Sequence, residues 1–170
     1  MSFRDKAADV RTVNALLTGA EQEALAAGDD LPGVEHLVLA ALGLPDGTAA
    51  DVLVGFGVSD ASLRAALARV HADALVSVGV DGSVREPDVA AGRRVGPRGF
   101  RATATADQAF RAATALKQSS GADRLLGAHV VAAACEQERG TFPRVLQALG
   151  VDRAALRAAC EEKLARQARG

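Results

Sequence analysis

The chain has 170 residues and a net charge of −1, and 49% of its residues are hydrophobic although only 3% are aromatic; this length allows one domain or two small repeats that share a core. The near-zero net charge provides no overall positive field for a polyanion, so we expect no nucleic acid partner. No apolar run approaches the roughly 18 residues that a membrane span needs, and the first residues lack a signal-peptide core, so we expect no membrane partner and a cytoplasmic location.

The first half of the chain predicts four helices. Apolar residues recur at spacings of three and four between about residues 8 and 27, which is typical of an amphipathic helix that ends at Gly28. A second helix over 34–42 is apolar nearly all round, so we expect it to be buried. Two further helices are predicted over 49–56 and from about 60 to 70, each after a capping residue.

The second half repeats this plan after an interruption. Glycines and prolines stop the helical pattern between residues 71 and 101, which we interpret as a linker between a first unit (8–70) and a second unit (102–165). The helices of the second unit are predicted over 105–119, 128–136, 141–149 and 152–165. We treat 1–170 as one domain.

The two units are copies of one sequence pattern at an offset of 93 residues, without a gap. The identical pairs include Gly28 and Gly121, His36 and His129, Ala40 and Ala133, Gly47 and Gly140, Thr48 and Thr141, Val52 and Val145, Leu53 and Leu146, and Gly57 and Gly150. A fixed offset predicts the same fold in both units. The fold class is therefore all-α, with two four-helix repeats packed about a pseudo-two-fold axis.

The residues that could carry chemistry are few. Cys135 and Cys160 stand where the first unit has leucines, so we interpret them as small buried hydrophobes. His36 and His129 begin buried helices, and we interpret them as core histidines with their ring nitrogens bonded to backbone. No nucleophile accompanies Glu35. Its carboxylate in the first turn of a helix is favoured by the helix dipole, and a binding role is an equally good interpretation. We expect no enzyme activity, metal or cofactor.

The pattern resembles a known family. A Gly-x-Glu-His-Leu helix start from Gly33 follows Glu23, Ala24 and Gly28, and precedes a Val-Leu-x-x-x-Gly-Val segment from Val52. This resembles the Clp N-terminal repeat, and the chain is similar to the double Clp-N domain of bacterial Clp-type unfoldase ATPases. The resemblance implies a non-catalytic domain that binds substrate proteins, adaptors or the Clp ATPase. The chain has no Gly-x-x-x-x-Gly-Lys-Ser/Thr loop for ATP, so we expect a stand-alone double Clp-N protein or an excised domain.

The resemblance also implies two phosphoarginine sites, each with a carboxylate for the guanidinium and, 25 residues earlier, a Thr for the phosphoryl group. The first site keeps Glu35 but has Val10 in place of the Thr. The second keeps Thr103 but has Ala128 in place of the carboxylate. Because a lost charge-assisted hydrogen bond costs about 1.5 to 3 kcal/mol, we expect weak or absent phosphoarginine binding.

A third implication is a hydrophobic groove between the first helices of the two repeats, which takes peptides and, in some members, cyclic-peptide antibiotics. Its walls here would be Leu17, Glu21, Phe100, Ala102, Asp107 and Arg111. Two alternative functions remain open. The chain would be a decoy that sequesters cyclic-peptide Clp inhibitors, or an all-α regulatory or nucleic-acid-binding module, which the net charge disfavours.

Overall fold

The computed structural model describes residues 3–77, 94–95 and 100–169, and eight helices lie within them. Repeat 1 comprises α1 Phe3–Ala27, α2 Val34–Leu42, α3 Thr48–Gly55 and α4 Asp60–Ser77, and repeat 2 comprises α5 Ala104–Ser120, α6 Gly127–Ala134, α7 Thr141–Ala148 and α8 Arg153–Gln167. The all-α prediction with four helices in each repeat is confirmed. Within these ranges, no helix is long and apolar enough to cross a bilayer.

The connection between the repeats differs in detail from the sequence prediction. The fourth helix continues to Ser77 instead of ending near residue 70. Two short antiparallel strands, β1 Arg94–Val95 and β2 Phe100–Arg101, precede α5. Residues 78–93 and 96–99 of the predicted linker lie outside the described residues.

The repeated glycines end the helices that they were predicted to end. Gly28 and Gly121 have φ values of +76° and +69°, in the left-handed region that glycine enters without a steric penalty. Gly121 donates its N–H to carbonyl oxygens of the last turn of α5. The same turn therefore closes the first helix of each repeat and reverses the chain toward the second.

The two most apolar helices, α2 and α6, pack against each other at the centre of the molecule. All eight residues of α6 are buried, and α1 and α5 cover the outer sides of α2 and α6. Across the repeats, α3 contacts α8 and α4 contacts α7. These two contacts exchange when the repeats are exchanged, as an approximate two-fold relation through the α2–α6 contact requires.

Repeat 1 also caps a helix of repeat 2. Asp46 Oδ1 accepts the Gly127 N–H at 3.2 Å, and the fully buried Thr48 Oγ1 accepts the Ala128 N–H at 2.9 Å. The Thr48 hydroxyl in turn donates to the Asp46 carboxylate. A carboxylate and a hydroxyl oxygen at the first turn of α6 satisfy N–H groups that have no partner within the helix, and the negative charge complements the helix dipole.

The close contact of the repeats depends on Gly127. A Cβ atom there would lie 2.8 Å from Ala49 Cβ and 3.0 Å from the Ala41 carbonyl oxygen, both in repeat 1. Because these neighbours belong to the backbone and to a short side chain, they cannot rotate away. Gly127 thus allows the start of α6 to touch α2 and α3.

We expect Gly127→Ala to lower the free energy of unfolding by about 1 to 3 kcal/mol, since the added methyl group overpacks the contact between the repeats. Urea denaturation followed by circular dichroism measures the change. Gly55→Ala is the matched control, because Gly55 is also helical but a Cβ atom there meets nothing within 4 Å. The control should be neutral or stabilising by about 0.5 kcal/mol, and an equal loss in both variants would contradict the role of the close contact.

Candidate binding site

His36 and His129 occupy the same place in the two repeats and make the same first hydrogen bond. His36 Nδ1 accepts the Gly33 N–H at 2.9 Å, and His129 Nδ1 accepts the Leu126 N–H at 3.0 Å. Both side chains are buried, with exposed fractions of 1% and 0%. Since Nδ1 is an acceptor, the neutral ring carries its proton on Nε2. The geometry agrees with the interpretation of these residues as structural histidines.

The second ring nitrogen distinguishes the repeats. His129 Nε2 lies 3.1 Å from Ser120 Oγ, which itself donates to the Lys117 carbonyl at 3.0 Å. In repeat 1 the residue equivalent to Ser120 is Ala27. His36 Nε2 accordingly makes no hydrogen bond to any described residue, although Asp29 Oδ2 lies 3.3 Å away. The buried Nε2–H donor is therefore unsatisfied in His36 of repeat 1, whereas the equivalent donor of His129 in repeat 2 has a partner.

Burial also sets the charge of the buried groups. Desolvation lowers the pKa of His129 to about 4, and it also lowers the pKa of His36. Desolvation raises the pKa values of the Cys135 and Cys160 thiols to about 12. At neutral pH both rings are uncharged and both cysteines are thiols, so the cysteines are poor nucleophiles and poor metal ligands.

A cavity of about 360 Å³ opens beside His36, between α1, α2 and α4. Its apolar lining includes Ala27, Leu39 and Leu67. On its rim, Arg64 makes a bidentate ion pair with Glu23, with distances of 2.5 Å from Nη1 to Oε2 and 2.8 Å from Nη2 to Oε1. The cavity has room for one or two side chains of a partner. The sequence analysis did not identify it.

The two residues predicted for phosphoarginine take other contacts. The Glu35 carboxylate folds back over Gly33, so that a Cβ atom there would lie 2.3 Å from Oε1. The Thr103 hydroxyl caps α5 by accepting the Ala106 N–H at 3.2 Å, and the Thr103 N–H donates to the Pro32 carbonyl at 3.0 Å. Thr103 is therefore bonded to Pro32, which lies three residues before Glu35 in repeat 1, although the sequence analysis assigned Thr103 and Glu35 to different sites.

Of the six predicted groove residues, three are buried (Leu17, Phe100 and Ala102), Asp107 is half-buried and two are exposed. Leu17 and Phe100 belong to the core, with exposed fractions of 6% and 4%. Glu21 and Arg111 are exposed, and Arg111 Nη2 lies 3.1 Å from Asp107 Oδ2 on the same helix. Among the predicted groove residues, the exposed ones are therefore charged, and the two large apolar ones are not open to solvent.

Two residues near the cavity were missed by the sequence analysis, Asp29 and His71. They come from the turn after α1 and from α4, and each places a ligand atom within 4.8 Å of one of Glu35. One signal was present in the sequence, because the offset of 93 pairs Asp29 with Ala122 and His71 with Leu164. Polar residues that replace apolar ones between copies of one fold are not required by that fold.

These features define an all-α tandem-repeat domain built around two buried histidines. The family model described as the Clp repeat (R) N-terminal domain matches residues 11–95 and 101–170, so the chain belongs to this family. The fold is similar to the crystal structure of the N-terminal domain of the caseinolytic protease associated chaperone ClpD from Arabidopsis thaliana, with a TM-score of 0.60 and 19% identity over 91% of this chain and 92% of that one. No curated protein gives a significant match. The predicted family and fold are confirmed.

The stability of the protein should decrease as the pH is lowered, because of His129. An unfolded histidine has its ordinary pKa near 6.5, whereas the folded pKa is about 4, so between these values the unfolded state binds a proton that the folded state does not. We expect the free energy of unfolding to drop by about 2 kcal/mol from about pH 7.5 to pH 5 for this group alone. Urea denaturation measures the drop, and ring carbon chemical shifts report the histidine itself. A His129 titration midpoint near 6.5 would contradict the assignment.

Ala27→Ser tests the cause of the unsatisfied donor. The new hydroxyl would occupy the position equivalent to that of Ser120, which bonds His129. We therefore expect Ala27→Ser to be more stable by about 1 kcal/mol than Ala26→Ser, a control that introduces the same residue into the same helix. The reciprocal Ser120→Ala should destabilise by about 1 to 3 kcal/mol. Thermal and urea unfolding compare the variants. Equal stability of the two serine variants would show that the missing hydroxyl does not explain His36.

Proposed function

We propose that this protein is a non-catalytic recognition domain of the Clp unfoldase–protease system that binds a protein or peptide: a substrate, an adaptor or the Clp ATPase itself. The observation that carries the proposal is the family match to both repeats, over 11–95 and 101–170. These 170 residues contain no loop of the type that binds ATP phosphates, so they do not themselves provide the energy for unfolding.

The state of the buried groups supports a binding role. The two thiols and the two core histidines are neutral at pH 7, because burial disfavours their charged forms. A general base or a nucleophile needs access to substrate and a pKa near the working pH. These four residues therefore serve packing, and surface contacts are the means of action that we propose.

The exposed charges of Glu21 on α1 and Arg111 on α5 support a polar mode of recognition. The side chains of Leu17 and Phe100 are instead buried in the core. Oppositely charged side chains at the rim of an interface favour complementary partners and orient them. An apolar cyclic peptide would find no open wall at these four residues, so the decoy function has no support at this surface.

The contacts of Glu35 and Thr103 support the expectation of weak phosphoarginine binding. A guanidinium needs both carboxylate oxygens, but the Glu35 side chain is only 13% exposed and lies against Gly33 and His36. The Thr103 hydroxyl already caps α5. A phosphoarginine ligand would have to displace both contacts before it gained its own.

Charge reversal tests the recognition surface. The wild-type protein should bind a purified bacterial Clp ATPase or its adaptor in calorimetry, and Arg111→Glu should weaken binding about tenfold or more by placing a like charge against the partner. Arg166→Glu is the control, since Arg166 is also an exposed helical arginine that follows an acidic residue by four positions. Its affinity should equal that of the wild type.

Other ligands in the same assay separate the alternatives. Free phosphoarginine and a cyclic-peptide Clp inhibitor should give no micromolar heat signal and no shift of the melting temperature. Two micromolar phosphoarginine sites would overturn the expectation for Glu35 and Thr103, and a large shift with the cyclic peptide would favour the decoy. Binding of duplex DNA with no binding of any Clp-system protein would overturn the proposed function.

A further inference from the structure

We propose that repeat 1 carries a site for a divalent transition-metal cation of the zinc class, with Asp29, Glu35 and His71 as ligands. Asp29 follows the end of α1, Glu35 lies in the first turn of α2, and His71 lies on α4. One carboxylate or imidazole atom from each residue lies within 4.8 Å of the other two. Three separate segments thus bring three ligand atoms close together, and one of the three residues, His71, also lines the His36 cavity.

The donor set fits this class of cation. Zinc binds imidazole nitrogen and carboxylate oxygen at about 2.0 to 2.2 Å, which corresponds to about 3.4 Å between ligand atoms of a tetrahedral site. The observed limit of 4.8 Å is wider, and small rotations of the three side chains bring the atoms to that spacing. An imidazole among the ligands favours zinc, cobalt or nickel over magnesium or calcium, which prefer oxygen alone. Three protein ligands leave one position for water or for an atom of a partner.

The buried His36 ring is an independent observation that points to the same place. Its Nε2–H makes no hydrogen bond to the described chain, although the side chain is only 1% exposed, and it lies 3.3 Å from Asp29 Oδ2. Nδ1 is occupied by the Gly33 N–H, so Nε2 keeps its proton and cannot itself coordinate a cation. His36 is instead placed to donate to the Asp29 carboxylate. Ligating carboxylates usually have such an outer hydrogen bond, which holds them toward the metal.

Repeat 2 is an internal comparison that lacks every part of this site. The offset of 93 places Ala122, Ala128 and Leu164 at the three ligand positions. Ala128 is fully buried and Leu164 is buried, so the fold accepts apolar residues there. Repeat 2 also satisfies its histidine with Ser120. The three ligands and the unsatisfied donor occur together in one repeat and are absent together from the other, among the residues described.

A cation would also remove an electrostatic cost. Two carboxylates with oxygens within 4.8 Å of each other repel, and partial burial strengthens that repulsion. A competing arrangement is an ion pair of His71 with the two carboxylates, without a metal. That arrangement predicts no affinity for zinc, so it is separable by experiment.

The test uses the full chain without a histidine tag, after treatment with a chelator. Zinc and cobalt titrations by calorimetry should show one site, and zinc should raise the melting temperature of the wild type. His71→Leu, Asp29→Ala and Glu35→Ala introduce the residues that repeat 2 already carries, so they are expected to fold. Each should weaken zinc binding at least tenfold and reduce the zinc-dependent shift in melting temperature, whereas the exposed control Glu138→Ala should leave both unchanged.

The cobalt spectrum gives a second readout. Oxygen and nitrogen ligands predict visible ligand-field bands without the strong near-ultraviolet charge-transfer band of a thiolate, so binding by Cys135 or Cys160 would be recognised. No zinc affinity in the wild type, unchanged affinity in His71→Leu, or a thiolate band would overturn the site. None of these readouts needs a Clp partner, so the metal site can be refuted without affecting the proposed function, and the reverse also holds.

Discussion

The structure depends on burying two short apolar helices, α2 and α6, against each other. Neither helix could be stable alone in water, since each has nine residues or fewer and few polar side chains. Their contact requires small residues at the point of closest approach, which Gly127 and Ala49 provide. It also requires the one polar side chain that each helix buries to be neutral and bonded to backbone, as His36 and His129 are. The outer helices are arranged around this contact.

The two repeats keep this framework and differ in the groups around it. Repeat 2 fills its equivalent positions with alanine and leucine and satisfies its histidine within the chain. Repeat 1 has an unsatisfied donor and the polar residues Asp29, Glu35 and His71 at the same places. A duplicated fold allows such a division, because one copy can provide stability while the other accepts less favourable burial for a binding role.

Much of the fold could be predicted from the sequence, and much of the site could not. The offset of 93 and the helical spacing of apolar residues predicted eight helices, because both are local properties of the chain. The cavity and the cluster of Asp29, Glu35 and His71 depend on where α4 lies relative to α2, which no local pattern encodes. The groove was predicted from position alone, and that could not reveal that Leu17 and Phe100 would be taken into the core.

The capping of α6 by Asp46 and Thr48 makes the start of a helix in repeat 2 depend on residues of repeat 1. The first N–H groups of α6 find their acceptors 80 and 81 residues earlier in the chain, in the turn before α3. The reverse arrangement is not available, since the equivalent of Asp46 in repeat 2 is Arg139. The central helix of repeat 2 therefore gains these caps only when it lies against repeat 1. Separating the repeats would expose the apolar faces of α2 and α6 and would also leave the first N–H groups of α6 without their acceptors.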